Sequence, residues 1–150
     1  MLRSIALASV IAAFAIVLFY YGDLPAKVPT HFDLNGEADA FGNKIWLWFL
    51  PALNLGLYAL LGNIHRLPKS MFNYPVKLTK ENEERQFDNI VLMNQVLRAF
   101  LCLGIAYTCW SIVATALGRS SGLSDWFFWV FTMGTFAIVG YFVRRSIQLK

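Results

Sequence analysis

At 150 residues, 57% hydrophobic and 16% aromatic, with only 15% of its side chains charged and a mean hydropathy of +0.51, the chain falls well short of the ~25% charge of a soluble domain. High apolar content with low charge excludes disorder, and the length points to one domain. The formal net charge of +4 raises nucleic acid as a partner, a reading that depends on where the basic residues lie.

Apolar residues gather in four blocks, each meeting the ~17–25 residues that a bilayer-crossing helix needs. The first, residues 5–21, is uncharged and rich in small side chains (Ala6, Ala8, Ser9, Ala12, Ala13, Ala15). Only Arg3 precedes it, and Gly22 to Lys27 offer no small-x-small cleavage site, so it reads as an uncleaved span. Residues 22–44 form a loop dense in turn formers (Pro25, Pro29, Asp33, Asn35, Gly36, Gly42, Asn43), which predicts a structured connection. The second span, 45–64, carries Pro51, which removes a backbone donor and frees the Leu47 carbonyl, and Asn54 one turn later. A kink closed by an interhelical hydrogen bond is expected, with Thr108, Ser111 and Thr115 as partners; a polar permeation path would use the same residues.

Residues 65–98 begin extended around Pro68 and Pro75, then turn helical at Thr79, read as an N-cap ahead of Glu81, Glu83 and Glu84. Glu81 and Arg85 are spaced for an i, i+4 pair, and the helix is expected to run on into the third span, 99–117. Asn94 and Arg98 mark its inner boundary. Nineteen apolar residues follow Arg98, so its guanidinium is expected to snorkel to headgroups. Cys102 and Cys109 share a face of this span, ~10 Å apart along the axis, too far for a disulfide. A polar turn, 118–125, leads to the fourth span, 126–143.

Four spans put the N-terminus, residues 65–98 and the C-terminus on one side. That side holds Arg3, Arg66, Lys69, Lys77, Lys80, Arg85, Arg98, Arg144, Arg145 and Lys150, against Lys27, Lys44 and Arg119 on the other. Ten against three predicts both termini in the cytoplasm. Tyr20, Tyr21, Trp46, Trp48, Trp126 and Trp129 fall at the outer ends of their spans, as interfacial aromatics do. The expected fold class is an all-α membrane protein with four transmembrane helices, a structured extracytoplasmic loop and a cytoplasmic helical extension of the third span. The basic residues then answer to anionic lipid, and no nucleic acid is expected.

Within the outer loop, His31, Asp33, Glu37 and Asp39 are candidate metal ligands. The EF-hand pattern fails, with Ala38 at the sixth position and Lys44 at the twelfth. The plainer reading has Asp33, Asn35 and Gly36 forming a turn while His31 and Asp39 bond to backbone. Metal-protease spacing, a nucleophile elbow and a phosphate loop are all missing, so no catalytic residues and no cofactor are assigned.

Leu24-Pro25, Val28-Pro29, His31-Phe32, Gly36, Asp39 and Lys44, followed by Pro51, resemble the bacterial membrane module known as domain of unknown function 1648. Phe72-Asn73-Tyr74-Pro75-Val76 with Thr79, Glu81 and Asn82 is similar to what often follows in its small members. The module also forms the N-terminal part of SdpI-type immunity proteins, which are longer, protect cells from a secreted killing peptide and take part in its signalling. The resemblance implies a bacterial cytoplasmic-membrane protein and carries over His31, Phe32, Gly36, Asp39 and Lys44 without assigning their roles.

The leading expectation is a non-enzymatic multi-pass protein whose outer loop meets an extracytoplasmic peptide or envelope protein through His31, Phe32, Asp33, Gly36, Asp39 and Lys44, with residues 65–98 as a cytoplasmic contact. A small transporter or channel using Pro51, Asn54, Thr108 and Ser111 is one alternative. A metal-dependent membrane enzyme built on His31, Asp33, Glu37 and Asp39 is another.

Overall fold

The computed structural model describes residues 1–150. It holds four helices, α1 (Leu2–Tyr20), α2 (Phe49–Gly62), α3 (Glu83–Ala116) and α4 (Asp125–Gln148), and one antiparallel hairpin of β1 (Lys27–Phe32) and β2 (Ala38–Asn43). All four helices are long and apolar enough to cross a membrane, α2 together with the 3-10 turns that extend it to Lys44–Arg66. Only 29 of the 150 residues are buried, and Leu18, Phe19 and Phe136 are each at least 70% exposed. Apolar exposure on that scale is tolerable only in lipid. The hairpin corrects the all-α expectation: the chain is mostly helical, with a small sheet in the 22–44 loop.

Pro51 sits in the first turn of α2, directly after the 3-10 turn Lys44–Trp48. The predicted kink is therefore a change of helix type at the start of the span, where a missing N–H costs little. Helix α3 is continuous from Glu83, and Thr79 caps the turn that leads into it: its Oγ1 accepts the Asn82 N–H at 3.3 Å and its carbonyl the Glu83 N–H at 3.0 Å. Asn82 completes the cap from the other side: its Oδ1 accepts the Thr79 N–H at 2.8 Å and its Nδ2 donates to the Lys77 carbonyl at 3.1 Å, closing a turn before the helix. Glu81 lies in that turn, so the expected pair with Arg85 does not form. Glu84 pairs instead with Lys69, whose ammonium it holds above the usual lysine range. Tyr74 donates to the Lys69 carbonyl at 3.1 Å, and burial raises its phenol pKa.

Helix α3 is the hub and touches all three other helices. With 34 residues it is ~51 Å long, well beyond a ~30 Å hydrocarbon core. Small side chains let α1 approach it closely: Ala6 and Val10 pack on Ala99 and Cys102, and Ala13 packs on Ala106 and Cys109. Helix α4 docks on α3 through two glycines. A Cβ on Gly104 would come within 2.1 Å of the Phe131 ring, and one on Gly134 within 2.6 Å of the Phe100 ring. The two rings stack, 5.4 Å between centroids and 15° between planes. Where the hairpin meets the bundle, Leu24 and Val28 complete a buried cluster with Val17, Leu47, Ile112 and Val113. The loop is thus part of the core.

Candidate functional site

The hairpin turn forms as its residues predict. Asp33 Oδ1 accepts the backbone N–H groups of Asn35 and Glu37, both at 2.9 Å, and Gly36 takes a φ of +82° that side chains disfavour. The turn is also clamped from outside. Gly36 O accepts the Leu123 N–H at 2.9 Å, Glu37 pairs with Gly122, and Ser111 Oγ donates to the Gly122 carbonyl at 2.9 Å. The 118–125 connection, expected to be a simple polar turn, therefore fixes the hairpin to α3.

His31 and Asp39 do not bond to backbone. They pair with each other, Nδ1 to Oδ1 at 2.6 Å, and both are exposed. Lys44 points inward rather than out: its Nζ donates to the Tyr21 and Leu24 carbonyls at 3.0 Å each and lies 4.8 Å from the Tyr21 ring centroid. Phe32 is half-buried against the core cluster. His31, Asp33, Glu37 and Asp39 do not converge, and no cluster of three or more His, Cys, Asp or Glu side chains suited to a metal forms in the molecule. What the hairpin does present is the free edge of β2, which pairs only with β1 and carries exposed Phe41. At its base lies an apolar groove of about 540 Å³ lined by Val28, Pro29, Gly42, Trp46 and Phe49, among others.

The polar residues of the spans serve packing. Asn54, fully buried, donates to the Cys102 carbonyl at 3.2 Å, so the interhelical bond exists but goes to backbone rather than to the threonine stripe. Thr108 bonds to Gly104 of its own helix, Ser111 is taken by Gly122, and Thr115 Oγ1 has no partner.

Arg98 is held against α2. It is 5% exposed and packs inward, its guanidinium 5.0 Å from the Tyr58 ring centroid and close against Gly62. Asn94, also buried, donates to the Leu61 carbonyl beside it.

A second set of buried polar groups escaped the sequence reading. Gln86 Nε2 donates to the Ser146 and Leu149 carbonyls at 2.8 and 3.1 Å, Ser146 Oγ donates back to Gln86 Oε1, and Asn89 Nδ2 reaches the Phe142 carbonyl at 3.0 Å. The available signal was two amides at i, i+3, with Ile90 and Met93 continuing the same helix face.

Helix length, apolar exposure and the hairpin cap together define a multi-pass membrane protein. Residues 8–55, the segment from α1 through the hairpin into α2, match the family model described as a domain of unknown function (DUF1648). The chain is also 33% identical over 107 residues to an uncharacterized protein of Archaeoglobus fulgidus, covering 60% of this chain and 58% of that one. It thus spans a little over half the length of that relative. No solved structure matches the chain.

Proposed function

We propose that the protein is a non-enzymatic recognition protein of the bacterial cytoplasmic membrane, oriented with the hairpin outside, and that the hairpin captures an extended extracytoplasmic peptide. The observation that carries this reading is the unpaired edge of β2, held on a clamped hairpin beside an apolar groove. Edge strands are natural templates for a further strand, main-chain bonds giving affinity and side-chain pockets giving selectivity. Strand β2 has no proline to block pairing, while Phe41, with His31 and Asp39 nearby, offers contacts for alternate side chains. Clamping by Gly122 and Lys44 lowers the ordering cost of binding. The likeness of the module to the N-terminal part of SdpI-type immunity proteins supports a peptide as the ligand. Residues 65–98 provide the cytoplasmic contact that would pass on an occupied state.

Cells with and without the protein, challenged with membrane-active peptides, test the proposal, together with photo-crosslinking from position 41. Protection should depend on the protein and fall with His31→Ala, Asp39→Ala and Phe41→Ala, and position 41 should crosslink to the peptide. Equal survival of all strains eliminates immunity, and the absence of any crosslinked envelope peptide or protein eliminates recognition through the hairpin.

A further inference from the structure

At the end of the bundle away from the hairpin, residues of α1, of α2 with the turn that follows it, and of α3 line an open-mouthed cavity of about 310 Å³. Four basic side chains line it, Arg3, His65, Arg66 and Arg98, and no carboxylate does. Arg98 lies deepest. It is only 5% exposed, its Nε has no hydrogen-bond partner, and no Asp or Glu comes within ion-pair distance, since the molecule's two pairs are His31–Asp39 and Lys69–Glu84.

A guanidinium taken out of water needs a counter-charge and acceptors for its donors. The Tyr58 ring face at 5.0 Å supplies part of this, but a cation–π contact falls short of the cost of desolvating an ion. The surroundings nonetheless hold the group in place. Gly62 leaves room for it, since a Cβ there would meet Nη1 at 2.6 Å, and Asn94 ties the end of α2 to α3 through the Leu61 carbonyl. Arg3 and Arg66, both exposed, stand at the rim. An anion would supply both the charge and the acceptors. Nineteen uncharged, mostly apolar residues, 99–117, follow Arg98, which puts the cavity at the boundary between hydrocarbon and headgroup.

We propose that this cavity binds a phosphate group, with Arg98 as its buried bidentate ligand and Arg3, His65 and Arg66 closing around the remaining oxygens. A guanidinium fork matches the spacing of two phosphate oxygens, and several cations suit a tetrahedral anion better than a lone carboxylate. That phosphate can come from an anionic lipid headgroup or from a soluble phosphate.

The 150-residue chain in neutral detergent, titrated with dioctanoyl-phosphatidylglycerol and separately with inorganic phosphate, distinguishes the two while tryptophan fluorescence follows its melting temperature. A saturable rise with the lipid alone identifies a headgroup site, and a rise with inorganic phosphate as well identifies a site for the free anion. No saturable rise with either overturns the proposal. Arg98→Gln should abolish the rise, and an undiminished rise in a folded Arg98→Gln protein also overturns it. Should Arg98→Gln not fold, Arg3→Gln and Arg66→Gln change exposed rim residues only; each is expected to weaken binding about tenfold. Unchanged affinity in both counts against the site.

Discussion

The Lys44 ammonium reaches two carbonyls, Tyr21 and Leu24, that follow the end of α1 and have no helical donor left to them. Charge-assisted bonds to backbone in a half-buried place are worth more than exposed pairs, so Lys44→Met is expected to cost about 2 kcal/mol, read as a lower melting temperature in detergent. The exposed His31–Asp39 pair is the contrast. His31→Ala should change stability by less than about 1 kcal/mol, which makes it a clean probe of recognition. Gly36 is constrained twice, by φ +82° and by the Leu123 carbonyl, which a Cβ would meet at 2.1 Å. Gly36→Ala should therefore cost at least about 2 kcal/mol and release the hairpin from the 118–125 connection, seen as faster proteolysis of residues 33–37.

Among the elements, the α3–α4 contact depends on the Phe100–Phe131 stack seated over Gly104 and Gly134. Gly104→Ala forces Phe131 aside and is expected to cost about 1–3 kcal/mol, whereas Gly140→Ala, on α4 with nothing within 4 Å of its Cβ position, should cost nothing. Comparing the two melting temperatures separates a specific notch from a general intolerance of larger side chains. Such notches were not legible in the sequence, because a glycine in an apolar run looks the same whether it faces lipid or a ring. The four spans and the Asp33–Gly36 turn were legible, since run length and local turn chemistry determine them without tertiary partners. The packing of Arg98 and Lys44 was not legible for one shared reason. Arg98 was expected to reach lipid headgroups and Lys44 to meet a partner, while the structure sets Arg98 against Gly62 and Lys44 on the Tyr21 and Leu24 carbonyls, contacts set by how segments meet. The all-α expectation missed the hairpin because Pro29 and the irregular register between Pro29 and Phe32 break the strand alternation that would have announced it.

For the whole molecule, orientation decides what the two ends can do. The end with the chain termini holds ten of thirteen basic residues, among them the arginines of the cavity around Arg98, and the hairpin end holds Lys27, Lys44 and Arg119. Lys44 is spent inside the fold on backbone carbonyls and Arg119 lies over the Tyr20 ring at 5.3 Å, which leaves Lys27 as the one basic residue there without such a contact. This bias predicts that insertion retains the basic end in the cytoplasm, with exposed Trp46, Trp126 and Trp129 expected at the outer interface. Cysteine labelling checks this with little background, because Cys102 and Cys109 are both fully buried. A membrane-impermeant maleimide is expected to modify Leu34→Cys, at the hairpin tip, in intact cells, and Met71→Cys only after permeabilisation. The reverse pattern would put the hairpin in the cytoplasm, where it could not meet an extracytoplasmic peptide, and would place the arginine cavity against the outer leaflet.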